Sequence, residues 1–313
     1  MKDKSVYKSL IGSKSREYFK SIGLPSQDNS DLPYSQKRFS SGGQYGIEIA
    51  SAQTSDTINE MLEVQDELGF KNQRFTETRG IFRLNDKQIE DMVEICKSNN
   101  RGLTLSVGPR AFYDTSASAR SLQGARISYR LRGTENLVHA VEDVRRATDL
   151  GVRGILVYDE GLLSLLNRMR SDEFIPKDTV FKSSVHCGHG NPASCKLLED
   201  NGADLINVVG DLTLPMISSI REAVDTCIDI HTDTPKSSGG FIRTYEAPDL
   251  VKVGSPIFLK SGAISSPTHA HLPSKEDIKN RVYQAFRVKE TINKYYPEAI
   301  EIKTPDPTIA IPA

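Results

Sequence analysis

The segment 180–194 reads VFKSSVHCGHGNPAS, and several of its side chains could take part in chemistry. Lys182 carries an amine that burial can turn into a base or an imine-forming nucleophile. His186 can transfer protons near neutral pH, and with His189 it forms an HxxH pair of possible metal ligands. What the segment does depends on the elements that position it.

Charged and polar residues also interrupt apolar runs elsewhere in the chain, at Glu48, Asn207, Asp229 and Lys260. Burying a charge alone costs several kcal/mol, so such a group must be paired or used in chemistry. Two interpretations follow. One is a structural ion pair across the interior, for instance between Glu48 and a lysine, and the other is a set of catalytic groups.

Short β-branched segments alternate with amphipathic helical segments along most of the chain. Strands are predicted at 45–51, 73–78, 103–108, 153–159, 179–186, 203–210, 227–233 and 256–262. Helices are predicted at 57–70, 85–98, 134–149, 160–170, 191–201, 213–224, 245–252 and 275–295. Eight such units in about 250 residues predict an α/β fold, a (β/α)8 TIM barrel. A doubly wound open sheet is the rival fold, but IASAQTS after the first strand lacks its GxGxxG turn.

The chain divides into three predicted parts. Residues 1–43 form an N-terminal arm, which packs on the domain or on a partner subunit, or is disordered. Residues 44–295 form the barrel. Residues 296–313 form a Pro-rich C-terminal tail, either an extended strap on a neighbouring subunit or a loose end. A homo-oligomer is the expected assembly.

Composition narrows the function classes. The net charge of -1 argues against nucleic acid and anionic membranes as partners. The N-terminus MKDKSVYKSL has no apolar core of signal-peptide length, and no run approaches ~18 apolar residues. The four cysteines, Cys96, Cys187, Cys195 and Cys227, form no CxxC pair. A cytoplasmic protein with reduced thiols is therefore expected.

In a (β/α)8 barrel, catalytic groups lie at the carboxyl ends of the strands and in the loops that follow. This rule selects a catalytic set of Lys182, His186, His231, Lys260 and Glu48. Asn207 and Arg79, from other strand ends, are predicted to bind substrate. The direction in which each strand residue points stays open, because a single bulge reverses it.

The loop of residues 109–133 is too long for a simple connection and is rich in arginine, including Arg110, Arg126 and Arg130. The planar guanidinium suits carboxylates and phosphates, so the loop is predicted to be an anion-gripping lid. A subunit contact made by solvated charges is the alternative.

The loops after the seventh and eighth strands contain SSGG and SGA. Barrels often bind phosphate there through backbone N–H groups that glycine leaves accessible. Ser238, Gly239, Gly240 and Ser261 are therefore predicted to bind substrate.

Imidazoles and carboxylates from neighbouring strand ends are the ligands that a divalent metal needs. The predicted metal ligands are His186, His189, Asp211, His231 and Asp233. The cofactor requirement is left open between none and one divalent metal ion.

The motifs YDEGLL (158–163), FKSSVHCGHGNPAS (181–194), LINVVGDLTLPM (205–216) and GGFIRTYEAPDL (239–250) resemble the peptidase-U32-like barrel family. The resemblance spans residues 150–262 and implies a (β/α)8 barrel. Better-known members of that family resemble hydroxylases with an iron–sulfur cluster on four cysteines, and the cysteine spacing here does not match that pattern.

The leading hypothesis is a barrel enzyme that acts on a small anionic metabolite, a carboxylate or phosphate, by lyase, aldolase or isomerase chemistry. A metal-dependent hydrolase of U32-peptidase type is the first alternative. A non-catalytic binding or assembly protein is the second. A top face plugged by apolar side chains would favour this last possibility.

Overall fold

The computed structural model describes residues 11–108, 121, 129–267 and 271–313. Its strands are β1 (Tyr45–Ala50), β2 (Arg74–Thr76), β3 (Gly102–Ser106), β4 (Gly154–Val157), β5 (Val180–Ser183), β6 (Leu205–Asn207), β7 (Cys227–His231) and β8 (Ile257–Ser261). Each strand pairs in parallel with the next, and β8 pairs with β1 to close the barrel. The predicted (β/α)8 barrel is confirmed.

An exposed helix precedes β1, and the other helices alternate with the strands and cover the outside of the barrel. The helices are α1 (Ser13–Ser21), α2 (Ser55–Leu68), α3 (Asp86–Ser98), α4 (Gly133–Asp149), α5 (Glu160–Ser171), α6 (Pro192–Asp200), α7 (Leu214–Ala223), α8 (Ala247–Gly254) and α9 (Lys275–Tyr295). Local sequence explains where several begin. Asn85 and Ser274 open α3 and α9 with capping boxes, in which cap and third-residue side chains satisfy each other's backbone N–H groups.

The fifth strand is shorter than predicted. It ends at Ser183, and the Oγ of Ser184 accepts a hydrogen bond from the backbone N–H of His186 at 3.2 Å. A serine hydroxyl that binds the backbone two residues on offers an alternative to the strand ladder. The expectation that the strand continues to His186 is therefore wrong, and His186 lies in the 3₁₀ turn Val185–Cys187.

Strand register decides which side chains point into the barrel. Glu48 pairs with Lys260, and Lys260 pairs with His231. Asp229 lies two residues before His231 and pairs with Asn207, so Glu48, Lys260, Asp229 and Asn207 share one face of the sheet. Lys182 pairs with Leu205 on that same face. The intervening apolar residues, such as Ile47 and Ile230, point outward into the helix layer. The charged residues that interrupt the strands thus face the axis of the barrel.

The amino end of the barrel is closed by the C-terminal tail. Ile302, Ile309 and Ala310 pack with Phe258 and other inward residues of the lowest layer. The backbone N–H of Leu103 donates to the carbonyl of Ala310 at 3.1 Å. The approach is so close that a Cβ on Gly102 would lie 1.7 Å from the Ile309 carbonyl oxygen. The tail packs on its own barrel, and neither of the two arrangements considered for it from sequence describes this.

The described part of the N-terminal arm also packs on the barrel, beyond the exposed helix α1. Ser35 donates its backbone N–H to the carbonyl of Lys252 at 2.9 Å, and Phe39 is buried. The ammonium of Lys37 donates to the carbonyl of Val224 at 2.7 Å. None of the helices in the described ranges is long and apolar enough to cross a membrane.

Candidate active site

Five ionisable side chains meet in the middle layer of the barrel, and we call them the charge cluster. They are Glu48, Arg74, Lys182, Asp229 and Lys260. All five residues are at most 3% exposed. Three are cationic and two are anionic, so the ionised cluster carries one excess positive charge.

Glu48 on β1 is the centre of the cluster. Its carboxylate accepts from Arg74 Nε at 2.5 Å and from Lys182 Nζ at 2.7 and 2.8 Å. Lys260 Nζ lies 3.0 Å from Oε1, and the hydroxyl of Thr76 donates to the same oxygen at 2.7 Å. Burial opposes ionisation, but Arg74, Lys182 and Lys260 together hold the pKa of Glu48 well below its usual range.

Lys182 bridges the two carboxylates of the cluster, because its ammonium contacts Asp229 as well as Glu48. The carboxylate of Asp229 also accepts a hydrogen bond from Arg74 Nη2 at 3.0 Å. Burial lowers the pKa of Lys182 to about 8, although the two carboxylates act in the opposite direction. Burial likewise raises the pKa of Asp229. Lys182 is thus protonated at neutral pH, with a proton that is easier to lose than that of an exposed lysine.

A cavity of about 370 Å³ opens above the cluster at the carboxyl ends of the strands. Lys260 lines it, whereas Lys182 and Glu48 do not belong to its lining. Other predicted site residues in the lining are His186, Asn207, Asp211, His231, Ser238 and Gly239. Among the residues that the structure describes, apolar side chains therefore do not plug the top of the barrel, so the observation that would have favoured a non-catalytic protein is not seen in them.

His231 and Asn207 bring buried polar atoms to this cavity. His231 Nδ1 and Asn207 Oδ1 have no hydrogen-bond partner among the described residues. Burial, followed by the nearby charges of Lys260 and Lys182, holds the pKa of His231 well below its usual range. His231 is therefore a neutral imidazole at physiological pH. A ligand that hydrogen-bonds these atoms would remove the cost of leaving them unpaired.

His186 is held against aromatic rings at the cavity wall. The ring of Tyr129 stacks on it with centroids 4.2 Å apart and planes within 7°. Tyr158 lies behind Tyr129 at 5.1 Å. This stack fixes the imidazole of His186 although the residue has left the strand.

Glu160, Cys187 and His189 form a second polar group behind the cavity. His189 Nε2 lies 2.7 Å from Glu160 Oε1, and Arg130 Nη2 donates to that oxygen at 2.9 Å. Arg130 also donates to the carbonyl of Tyr158 at 2.7 Å. The predicted anion-binding residue Arg130 thus binds the protein's own groups here.

The five predicted metal ligands do not gather in one place. In the described ranges, the one group of at least three His, Cys, Asp or Glu ligand atoms within 4.8 Å is Glu160, Cys187 and His189. Of the predicted ligands only His189 belongs to it. Asp211 is exposed at the cavity rim, and Asp233 is fully buried in a loop contact. Burial also raises the pKa of the Cys187 thiol to about 12, which disfavours a thiolate ligand.

In the two loops predicted to bind phosphate, backbone N–H groups donate to acceptors of the protein itself. After β7, Ser238 and Gly240 donate to the carbonyl of Pro235 at 2.8 and 3.1 Å, and Gly239 donates to that of Lys236 at 3.2 Å. After β8, Gly262 and Ile264 donate to the carboxylate of Asp233, each at 2.8 Å.

The remaining predicted residues lie away from the cavity or outside the described ranges. The hydroxyl of Ser261 shares a hydrogen bond of 2.7 Å with Thr232. Arg79 is half-buried beyond β2 and is absent from the cavity lining. Arg110 and Arg126 fall in the part of the 109–133 loop that the structure does not describe.

Sequence reasoning missed Arg74, which joins both carboxylates of the charge cluster. It also left Asp229 out of the site, although the residue was noticed as an interruption of its strand. A signal was available, because Arg74 and Thr76 flank Phe75 with the period of two that marks one face of a strand.

Comparisons with known proteins give no family for the chain. No family model and no curated protein matches it. The solved structures that it resembles include the YdjI aldolase from Escherichia coli K12, at 12% identity and a TM-score of 0.47, covering 82% of this chain and 94% of that one. They also include the U32 peptidase Mk0906, at 18% identity and a TM-score of 0.41, covering 63% and 72%. A third is thiamine phosphate pyrophosphorylase from Pyrococcus furiosus, at 10% identity and a TM-score of 0.44, covering 80% of this chain and 98% of that one. Because each of these TM-scores lies below 0.5, the likenesses assign no family, reaction or substrate to the chain.

Proposed function

We propose that the protein is an enzyme that acts on a small anionic carbonyl compound by aldolase-type lyase chemistry, with Lys260 as the amine that forms an imine. The observation that carries the proposal is the placement of Lys260. Its side chain lines the cavity while its ammonium lies 3.0 Å from the buried carboxylate of Glu48.

Lys260 has the two properties that an imine-forming lysine needs. It reaches the space that a substrate would occupy, and it lies in a buried group with a second ammonium and a guanidinium on the same carboxylate. The nucleophilic form of a lysine is the uncharged amine, so a neighbouring group must take up the proton of Lys260 before it attacks. The neutral imidazole of His231, the register partner of Lys260, can receive that proton and return it to the carbonyl oxygen that leaves as water.

The proposed reaction begins with attack of Lys260 Nζ on the substrate carbonyl. The new C–N bond forms as the carbonyl oxygen leaves as water, and a protonated imine results. This cation draws electrons from the adjacent carbon, so a C–H or C–C bond there can break to leave an enamine. Hydrolysis of the imine returns the amine of Lys260.

His231 is the base of this proposal. It is the register partner of Lys260 on the adjoining strand, so both side chains face the axis side by side. Its imidazole is neutral for the reasons given above, and a neutral imidazole can take the proton that the substrate releases as the bond breaks. Asn207 supplies a polar atom that can orient a substrate hydroxyl.

Lys182 has a different role in this scheme. It is absent from the cavity lining and contacts both carboxylates of the cluster. We assign it a positioning role, in which it holds Glu48 and Asp229 in place.

Deuterium exchange tests the proposal without knowledge of the full substrate. The protein is incubated with pyruvate in D₂O, and loss of the methyl proton signal is followed by NMR. Imine formation followed by reversible proton removal should replace these protons with deuterium. Lys260→Met should abolish the exchange.

Lys87→Met is the matched control, because Lys87 is an exposed lysine on α3. It should exchange at the wild-type rate. Other small 2-oxo acids and ketones are tested alongside pyruvate. Wild-type exchange that persists in Lys260→Met would overturn the role of Lys260, and absence of exchange with every compound would argue against the reaction class.

A further inference from the structure

The loops that bind phosphate in many barrels are closed in this protein by its own groups. Asp233 is fully buried, and both of its carboxylate oxygens accept backbone N–H groups of the loop after β8. A carboxylate therefore occupies the cradle of N–H groups into which a phosphate would fit.

The loop after β7 is closed in a different way. The N–H groups of Ser238, Gly239 and Gly240 all donate to carbonyls at the start of the same loop. A phosphate bound there would have to break these hydrogen bonds, and the carbonyls released would lose their partners. In the residues described for these two loops, neither offers a preformed set of N–H donors.

The charge at the base of the cavity is the second part of the argument. The ionised charge cluster has an excess of one positive charge, and Lys260 is the one lysine or arginine among the cavity-lining residues that the structure describes. The carboxylate of Asp211 also lines the cavity, but it is exposed to solvent at the rim, away from this buried base. A monoanion balances the excess positive charge. A phosphate ester, with nearly two negative charges at neutral pH, would leave excess negative charge in a buried site.

The position of the charge on the substrate matters as well. In a 2-oxo acid the carboxylate is bonded to the carbonyl carbon itself. The protonated imine on Lys260 keeps the positive charge that the ammonium carried, and such a carboxylate would lie beside it through the reaction. A phosphorylated ketone would hold its charge several bonds away, and the described part of the loop after β8 offers it no free cradle because Asp233 fills the one there.

From these observations we infer that the cavity selects a 2-oxo monocarboxylate and excludes phosphorylated carbonyl compounds. The inference rests on the proposed function, since it names the substrate class of the same site. A hydroxyl, which can both donate and accept, suits the unpartnered atoms Asn207 Oδ1 and His231 Nδ1.

Binding measurements test the inference separately from the reaction. Isothermal titration calorimetry at pH 7 uses the full chain with lactate, whose carboxylate is present but whose carbonyl is not, and with inorganic phosphate. Lactate should bind at least tenfold more tightly than phosphate. Lys260→Met should weaken lactate binding at least tenfold, and Lys87→Met should leave it unchanged.

The outcomes distinguish the two proposals. Phosphate binding as tight as that of lactate, or no lactate binding, would overturn the substrate class. In that case deuterium exchange from any carbonyl compound at Lys260 would still support the reaction. Selective lactate binding without any exchange would support the substrate class and contradict the imine.

Discussion

Lys260 and Lys182 both contact Oε1 of Glu48, at 3.0 and 2.7 Å, but of the two only Lys260 lines the cavity. Lys182 is absent from the lining and contacts Asp229. The sequence alone could not rank these two lysines. They share one carboxylate, and the structure distinguishes them by which of them also lines the cavity.

Lys260→Met should separate activity from stability. We expect loss of activity, while the free energy of unfolding at pH 7 stays within about 1 kcal/mol of wild type or rises, because the excess buried charge is removed. Activity and urea unfolding measured on the same preparations check both parts.

Lys182→Met is the comparison for that experiment. It removes the ammonium that bridges Glu48 and Asp229, so unfolding should become easier by about 3–5 kcal/mol. Equal destabilisation by the two substitutions would contradict the assignment of the positioning role to Lys182 alone.

The two histidines of the cavity should differ in importance. His231→Gln should lower the rate of proton exchange by about 10²–10⁴, the range for loss of a general base. His186→Gln should cost roughly tenfold or less on that scale, because His186 is stacked on Tyr129 and is not next to Lys260 in the sheet. The two variants are compared by their proton-exchange rates at saturating pyruvate. A larger loss in His186→Gln than in His231→Gln would assign the role of base to His186.

Asp233 should make stability depend on pH. Burial raises its pKa to about 6, against the effect of its N–H donors, so the folded state holds this proton more tightly than the unfolded state. Its contribution to stability is therefore full below about pH 4 and is lost as the pH rises through 6. The loss amounts to roughly 3 kcal/mol.

Asp233→Asn isolates that contribution from the other carboxylates. Unfolding free energies of wild type and variant are measured by urea titration from pH 4 to 7. The wild-type value minus the variant value should fall as the pH rises. A difference that is constant or grows with pH would contradict the assignment.

The C-terminal tail should contribute to stability from beneath the barrel. Ile309 is buried against the lowest layer, so Ile309→Ala should destabilise the protein by about 2–4 kcal/mol. Ile311 is only half-buried beside it, and Ile311→Ala is the matched control with a smaller effect. Similar small losses in thermal or urea unfolding would mean that the tail detaches easily.

Much of the barrel could be predicted from sequence because its signals are local. Apolar runs such as 103–108 and 227–233 alternate with helical periodicity at a regular spacing, and each unit can be recognised by itself. The interruptions at Glu48, Lys182 and Lys260 were visible for the same reason. Their pairing was not, since it depends on register between strands far apart in the chain.

Other features of the site depend on contacts that no local pattern specifies. The turn that takes His186 off its strand comes from the Ser184 hydroxyl, whose geometry competes with the sheet ladder. The capture of the β8 loop by Asp233 joins residues about thirty positions apart, so SGA alone looked like a phosphate loop. The alternating apolar residues of the tail could pack on many surfaces. The close contact between the Ile309 carbonyl and Gly102 forms only once the barrel has folded.

Borohydride reduction with peptide mapping tests the central claim most directly. The protein is treated with sodium borohydride in the presence of pyruvate, digested, and analysed by mass spectrometry. The account predicts one covalent adduct, on Lys260, which is absent from Lys260→Met and retained in Lys87→Met. An adduct on Lys182, or none on any lysine, would contradict it.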